Sequence, residues 1–143
     1  MEARWQAARA GSDSARENIR AIIGAQLRLI QSNPAIPAIL FSRELHSKNK
    51  NLRTAFFGLM GRFQRTIAEL VRKACATGEL RADLDADDAA YLIIGLVQGL
   101  AVRWSLSGRK FDLPLEGARL LDLQLAGFGC LAETRDEAGG ATP

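Results

Sequence analysis

One segment, from Asp85 to about Ser105, constrains the fold most because the helix that it predicts is apolar on every side. Its period is helical, Asp85 is placed to act as an N-cap, and Asp87 and Asp88 bring negative charge to the positive end of the helix. Nearly all of its large side chains are apolar and point in every direction: Leu92, Ile93, Ile94, Leu96, Val97, Leu100, Ala101, Val102 and Trp104. A chain of 143 residues can cover one side of such a helix with its own core, and the other side needs a second cover.

A second copy of the same helix is the simplest second cover, so the segment predicts a homodimer. Gly95 and Gly99 lie four residues apart, with Leu92 and Arg103 on the same side of the helix. They form a low strip where another backbone can approach closely, despite the poor helix propensity of glycine. Packing of this side within the same chain is the alternative, and the sequence leaves both open.

We expect a cytoplasmic protein that does not enter the membrane. Met1 is followed by charged and polar residues rather than by a basic start and an apolar run. The longest apolar stretch, residues 89–102, contains Gln98 and has the length of a buried core helix rather than of a membrane span.

The remainder of the chain is also helical in period, and we find no convincing strand. The short turn signals divide it into about six helical pieces, which predicts an all-α helical bundle. After a first piece at residues 1–10, the predicted helices cover residues 14–32, 33–46, 52–77, 85–105 and 114–131. Residues 12–131 are expected to form the domain, and residues 132–143 a flexible tail.

The clearest amphipathic pattern lies at residues 52–77 and ends before Gly78, which is placed for a C-terminal cap. Its other face mixes Glu69 with several basic residues, which is typical of a solvated face. The apolar row consists of Leu52, Phe56, Leu59, Met60, Phe63, Ile67, Leu70, Val71 and Ala74.

The polar residues predict no enzyme, no metal site and no cofactor. The single histidine, His46, is expected at a helix end, where a cation interacts favourably with the helix dipole. Cys75 and Cys130 fit no metal spacing and are interpreted as reduced thiols. The net charge of +3 is far from the dense basic field of a nucleic-acid clamp, so no residue is assigned to DNA binding.

An apolar pocket for a ligand is one interpretation of the interior, and an ordinary core is the other. Phe41, Phe56, Met60 and Phe63 lie on segments expected to meet. A ligand pocket also needs a few polar groups, and on the apolar helix these can come from Gln98, Tyr91 and Arg103.

Three stretches together resemble the C-terminal regulatory domain of TetR-family transcriptional regulators. They are NPAIPAILFSRELH at residues 33–46, GELRADLDADDAAYLIIGLVQGLAVRWSLSG at 78–108 and LLDLQLAGF at 120–128, and the resemblance covers residues 12–128. It implies an all-helical domain that dimerises through a four-helix bundle, made by the last two helices of each chain. It also implies a pocket for a small hydrophobic effector among the preceding helices.

Carried over to this sequence, the resemblance assigns residues to both sites. The pocket-forming helices carry Phe41, Phe56, Met60 and Phe63, beside the Gln98 considered above. The dimer interface is expected to include Leu92, Gly95, Leu96, Gly99, Arg103, Leu121, Leu125 and Phe128.

The family's N-terminal helix-turn-helix domain, which binds DNA, has no counterpart here, because the residues before Ser12 are too few for three helices. Residues 1–11 are expected to be the remnant of the helix that links that domain to the regulatory core. We therefore expect the ligand-sensing and dimerisation part of a TetR-like repressor. The alternative is a stand-alone helical interaction module that binds no small molecule.

Overall fold

A computed structural model describes residues 13–40 and 42–129, and within these residues the chain is all-helical, as predicted. The six helices are α1 (Ala15–Ser32), α2 (Ala35–Leu40), α3 (Arg43–Lys48), α4 (Lys50–Thr77), α5 (Ala86–Leu106) and α6 (Leu113–Gly127). The predictions for residues 1–11, for the tail at 132–143 and for Phe41 fall outside the described residues.

Short polar side chains define where most of the helices begin. Ser14, Asn49, Asp85 and Asp112 precede α1, α4, α5 and α6, and each accepts a hydrogen bond from the backbone N–H of the third helical residue. Gly78 ends α4 in the left-handed conformation, with φ of 82°, which glycine adopts without steric cost. The predicted caps at Gly78 and Asp85 are therefore confirmed.

The single helix predicted for residues 33–46 is wrong, because this stretch forms α2 and α3. Ser42 takes an extended conformation and its hydroxyl accepts the N–H of Leu45 at 3.2 Å, which starts a new helix. The gap between the predicted helices 33–46 and 52–77 shrinks to Asn49, which ends α3 and caps α4. The last helix ends at Gly127 rather than near residue 131.

The core lies where α5 packs against α4 and α6, and α1 packs against α4 and α6. Gly117 of α6 permits the closest approach, because a Cβ atom at this position would lie 2.1 Å from Cδ1 of Leu27 in α1. The largest side chains that are completely buried include Ile19, Ile22, Ile23, Leu27, Ile67, Leu70, Leu80, Ile93, Leu113, Leu121 and Leu125.

Helix α5 is buried on one side only. Its inner side is packed in the core, while Tyr91, Leu92, Val102 and Leu106 on the outer side are exposed. By length and composition α5 could also cross a membrane, but the core helix of a soluble protein meets the same criteria. The all-round apolar character seen in the sequence thus corresponds to one covered and one uncovered side.

The start of α1 is attached to the segment that follows α4. The hydroxyl of Ser14 donates a hydrogen bond to the carboxylate of Glu79, and the hydroxyl of Thr77 donates another at 3.2 Å. The bond from Ser14 is the main cause of a lowered pKa for Glu79, helped by the backbone N–H groups of Ala15 and Arg16. Glu79 therefore acts as a second cap for α1, supplied from elsewhere in the chain.

Candidate ligand-binding site

An apolar cavity lies between α1, α2, α4 and α5. The empty space between these helices amounts to about 400 Å³, a figure that includes open solvent. Four of the five predicted ligand residues line it together, and the fifth, Phe41, lies outside the described residues. The full lining is Gln26, Ile30, Ile36, Pro37, Phe56, Met60, Phe63, Ile94, Val97 and Gln98.

Helix α4 supplies the aromatic side of the cavity. Phe56, Met60 and Phe63 are spaced by four and three residues, which places them on one face of the helix. His46, in the last turn of α3, stacks on the ring of Phe56 with the ring centres 5.3 Å apart. His46 thus supports the cavity wall from behind, at the helix end where the sequence predicted it.

Six of the lining residues were not assigned to a ligand site from the sequence: Gln26, Ile30, Ile36, Pro37, Ile94 and Val97. Ile36 and Pro37 come from the short helix α2, and nothing in their local pattern shows which helix they meet. Gln26 had a usable signal, because it is a polar residue within the apolar stripe of α1, four residues before Ile30. Gln26 and Gln98 are the polar groups in the lining, whereas Tyr91 lies on the exposed side of α5.

The predicted dimer residues of α5 and α6 occupy different environments. Leu92, Gly95, Gly99 and Arg103 are exposed on the outer side of α5, and Leu96 is half-buried. By contrast, α6 turns three predicted residues inward, so that they have almost no surface left for a partner to cover: Leu121, Leu125 and Phe128. The exposed apolar side chains of α6 are Leu115 and Leu123 instead.

A wide groove runs along the outer side of α5, with about 1020 Å³ of empty space that is largely open to solvent. Its floor and walls include Gly95, Gly99, Val102 and Leu106, together with Arg103. Two further side chains, Phe56 and Gln98, line both the groove and the apolar cavity. The two spaces are therefore neighbours.

Arg103 is the charged residue of the groove, and contacts within the chain hold it in place. Its guanidinium donates to Glu116 at 3.1 Å and lies over the ring of Phe111, 5.0 Å from the ring centre. Glu116 also accepts a hydrogen bond from Arg119 at 2.6 Å, and this bond is the main cause of its lowered pKa. Arg103 thus has a carboxylate and an aromatic partner within its own chain.

No group of three His, Cys, Asp or Glu side chains within residues 13–40 and 42–129 could hold a metal ion. Cys75 is half-buried, and burial raises the pKa of its thiol, which keeps it in the less reactive protonated form.

The described residues thus form a helical domain that has an apolar cavity beside an exposed apolar helix. The family described as "Tetracyclin repressor-like, C-terminal domain" matches residues 15–113. This is more than half of the chain, which therefore belongs to this family of transcriptional regulator domains and is not an enzyme. The resemblance seen in the sequence is confirmed.

Individual relatives are distant in sequence but similar in fold. The chain is 22% identical over 115 residues to the fatty acid metabolism regulator protein of Bacillus subtilis, which covers 80% of this chain and 59% of that protein. The structure of FadR from Bacillus subtilis in complex with stearoyl-CoA matches 87% of this chain and 67% of that one, with a TM-score of 0.76 and 18% identity.

Two further solved structures share the fold. FadR from Bacillus halodurans matches 86% of this chain and 63% of its own, with a TM-score of 0.74 and 18% identity. A TetR-family regulator from a Rhodococcus species matches 86% and 68%, with a TM-score of 0.67 and 24% identity. This chain thus corresponds to about two thirds of each neighbour's length.

Proposed function

We propose that this chain is the ligand-sensing and dimerisation domain of a TetR-like transcriptional repressor that acts in the cytoplasm. The observation that carries the proposal is the cavity between α1, α2, α4 and α5. Its lining is apolar except for Gln26 and Gln98. Binding sites for small molecules are typically apolar, with a few polar groups that orient the ligand.

The proposed effector is a long-chain acyl compound. The Bacillus subtilis FadR structure contains stearoyl-CoA, and its fold matches most of this chain. An acyl chain would contact the row formed by Phe56, Met60 and Phe63 and would bury its methylene groups there. Since each buried methylene contributes about 0.8 kcal/mol, affinity is expected to rise with chain length until the cavity is full.

The proposed mechanism is a shift in population between two dimer geometries. Effector binding would favour the geometry in which the two recognition helices no longer fit successive major grooves of DNA. In TetR-like repressors those recognition helices belong to a helix-turn-helix domain, and this chain corresponds to about two thirds of each neighbour's length. The part proposed here is the sensor, which converts occupancy of the cavity into a change at the dimer face.

The uncovered outer side of α5 supports dimerisation. Leu106 is 83% exposed and Leu92 is 55% exposed, although both lie on a helix whose other side is in the core. Contiguous exposed apolar surface of this kind is typical of a protein interface. A dimer through α5 and the outer side of α6, where Leu123 is exposed, would remove this surface from water.

Thermal unfolding of the purified chain with acyl-CoA compounds of increasing length tests the sensor proposal. Stearoyl-CoA should raise the melting temperature more than shorter acyl-CoA compounds, and coenzyme A alone should not raise it. A ligand at 100 times its Kd stabilises the folded state by about 2.7 kcal/mol. No shift with any acyl compound would contradict the proposed effector class.

A pair of tryptophan substitutions tests the location of the site. Met60→Trp fills the cavity and should abolish the shift caused by stearoyl-CoA. Phe57→Trp is the matched control, because Phe57 is close by on the same helix but is 80% exposed. Equal loss of the shift in both variants would place the ligand elsewhere.

The alternative function is a helical dimerisation module without a small-molecule ligand. The ligand-induced shift in melting temperature separates the two, because both predict a dimer but only the sensor predicts that shift. Light scattering tests the dimer itself. Gly95→Leu with Gly99→Leu should yield monomers, since neither added Cβ atom meets anything within 4 Å in the monomer. An unchanged dimer would remove these glycines from the interface.

A further inference from the structure

The cavity and the outer groove of α5 share part of their walls, which connects the ligand site to the dimer face. Phe56 and Gln98 line both spaces, and the groove continues along Gly95, Gly99 and Arg103. We propose that a second copy of this chain covers the groove and so completes the wall of the effector cavity. This inference rests on the proposed function and adds that the effector site is complete only in the dimer.

The groove is too open to hold a small molecule without a further wall. Its empty volume of about 1020 Å³ is much larger than that of the cavity, and it is largely open to solvent. An apolar ligand that extended past Phe56 and Gln98 would leave part of its surface in water. A protein surface that covers the groove removes this cost.

The shape of the groove suits a helix from another copy. Gly95 and Gly99 provide a strip without side chains, and a Cβ atom at either position would meet nothing within 4 Å. A second shallow groove also includes these glycines and extends to Leu120 of α6. The low strip is thus flanked by both helices that the proposed dimer uses.

The charges on this surface favour a second copy over a strongly charged partner. From Tyr91 to Leu106, Arg103 is the one charged residue of α5, and Glu116 of the same chain already pairs with it at 3.1 Å. Two copies related by a two-fold axis can therefore meet here without like-charge repulsion. Between Tyr91 and Leu106, an acidic partner would find only an arginine that is already paired, and a basic partner would find no carboxylate.

The inference predicts a measurable coupling between effector binding and dimerisation. If the dimer completes the site, dimerisation tightens effector binding, and saturating effector tightens the dimer by that factor once for each of its two sites. A site that lies wholly within one chain predicts no such coupling. Each prediction can be measured on the intact chain.

The experiment measures binding of a fluorescent polyene fatty acid with 18 carbon atoms to monomer and to dimer. Leu92→Glu supplies the monomer, because Leu92 is exposed on the proposed interface but lines neither the cavity nor the groove. Leu45→Glu on α3 is the matched control, since it adds the same charge at another exposed leucine. Circular dichroism verifies that both variants are folded, and sedimentation gives their oligomeric state.

We expect the fatty acid to bind the Leu92→Glu monomer at least tenfold more weakly than it binds the wild type and the Leu45→Glu dimer. Saturating fatty acid should also lower the dissociation constant of the wild-type dimer. Equal affinity for monomer and dimer would overturn this inference and leave the sensor function in place. Absence of binding to every form would overturn both.

Discussion

The two halves of α4 have the same apolar pattern but different surroundings. In the second half, Ile67, Leu70, Val71 and Ala74 are buried against α1 and α5. In the first half, Leu52, Phe56, Leu59 and Met60 continue the row but are only half-buried.

This difference shows that a helical period identifies the apolar face of a helix but not what covers it. Core side chains cover the face of the second half of α4. The cavity lies beside the face of the first half, so Phe56 and Met60 remain available to a ligand. The following predictions test this contrast between a core half and a cavity half.

Ile67→Ala should cause the largest loss of stability. Ile67 has no exposed surface, and truncation of such a buried side chain costs about 2–5 kcal/mol because it leaves a cavity. Leu59→Ala, in the cavity half of the same helix, should cost about 1 kcal/mol, the average for a point substitution. Chemical denaturation of both variants measures the difference, and similar losses would mean that the two halves are equally well packed.

Gly117→Ala tests the tight packing that supports the core half from α6. The added Cβ atom would lie 2.1 Å from Cδ1 of Leu27, so α1 and α6 would have to move apart. Overpacking of this kind costs about 1–3 kcal/mol. Leu27→Ala should restore part of the loss if combined with Gly117→Ala, and a double-mutant cycle measures that coupling. Additive effects would show that the two residues do not interact.

The sequence predicted the apolar face of α4 well because the side chains on that face follow one helical period. It did not show which apolar row of α6 turns inward, since Leu121 and Leu125 form one row, and Leu120 and Leu123 belong to another. Gly117 could have identified the row that turns inward. It lies four residues before Leu121 on the same face, and a residue without a side chain marks the face where another helix approaches closely.

The cavity was harder to predict than the core. Phe56, Met60 and Phe63 belong to a single helix, so their shared face follows from their spacing. The opposite wall depends on how α2 packs against α5, and a six-residue helix carries too few residues to reveal this in its own pattern. Ser42 also divided the expected helix, because a side-chain cap competed with helix continuation.

Glu79→Gln should weaken the end of the core half by a smaller amount. The lowered pKa of Glu79 means that its charged form stabilises the folded state above the ordinary carboxyl pKa of 4.5, and that this contribution is lost as the pH falls through the lower folded value. At neutral pH we expect a loss of about 0.5–2 kcal/mol, as for other N-caps.

Denaturation at several pH values measures this contribution. The difference between Glu79→Gln and the wild type should shrink as the pH falls through the lowered pKa of Glu79, where the carboxyl group of the wild type also becomes protonated. Asp83→Asn is a suitable control, because Asp83 is exposed and takes no part in capping α1. A difference that is the same at every pH would contradict a role for the charge.

Gly61→Ala should have the smallest effect, and it should be stabilising. Gly61 lies in the cavity half of α4, where an added Cβ atom would lie 3.3 Å from Nη1 of Arg65, the flexible end of an exposed side chain that can move away. Replacement of a helical glycine by alanine then contributes about 0.5–1 kcal/mol through a lower entropy of the unfolded chain.

The sign of this change is the most direct comparison of the two packing environments, because Gly61→Ala and Gly117→Ala add the same methyl group. Opposite signs in denaturation would show that the position beside Arg65 accepts added volume and that the contact between α1 and α6 does not. A loss of stability in Gly61→Ala would mean that the Arg65 side chain cannot move away from the added methyl group.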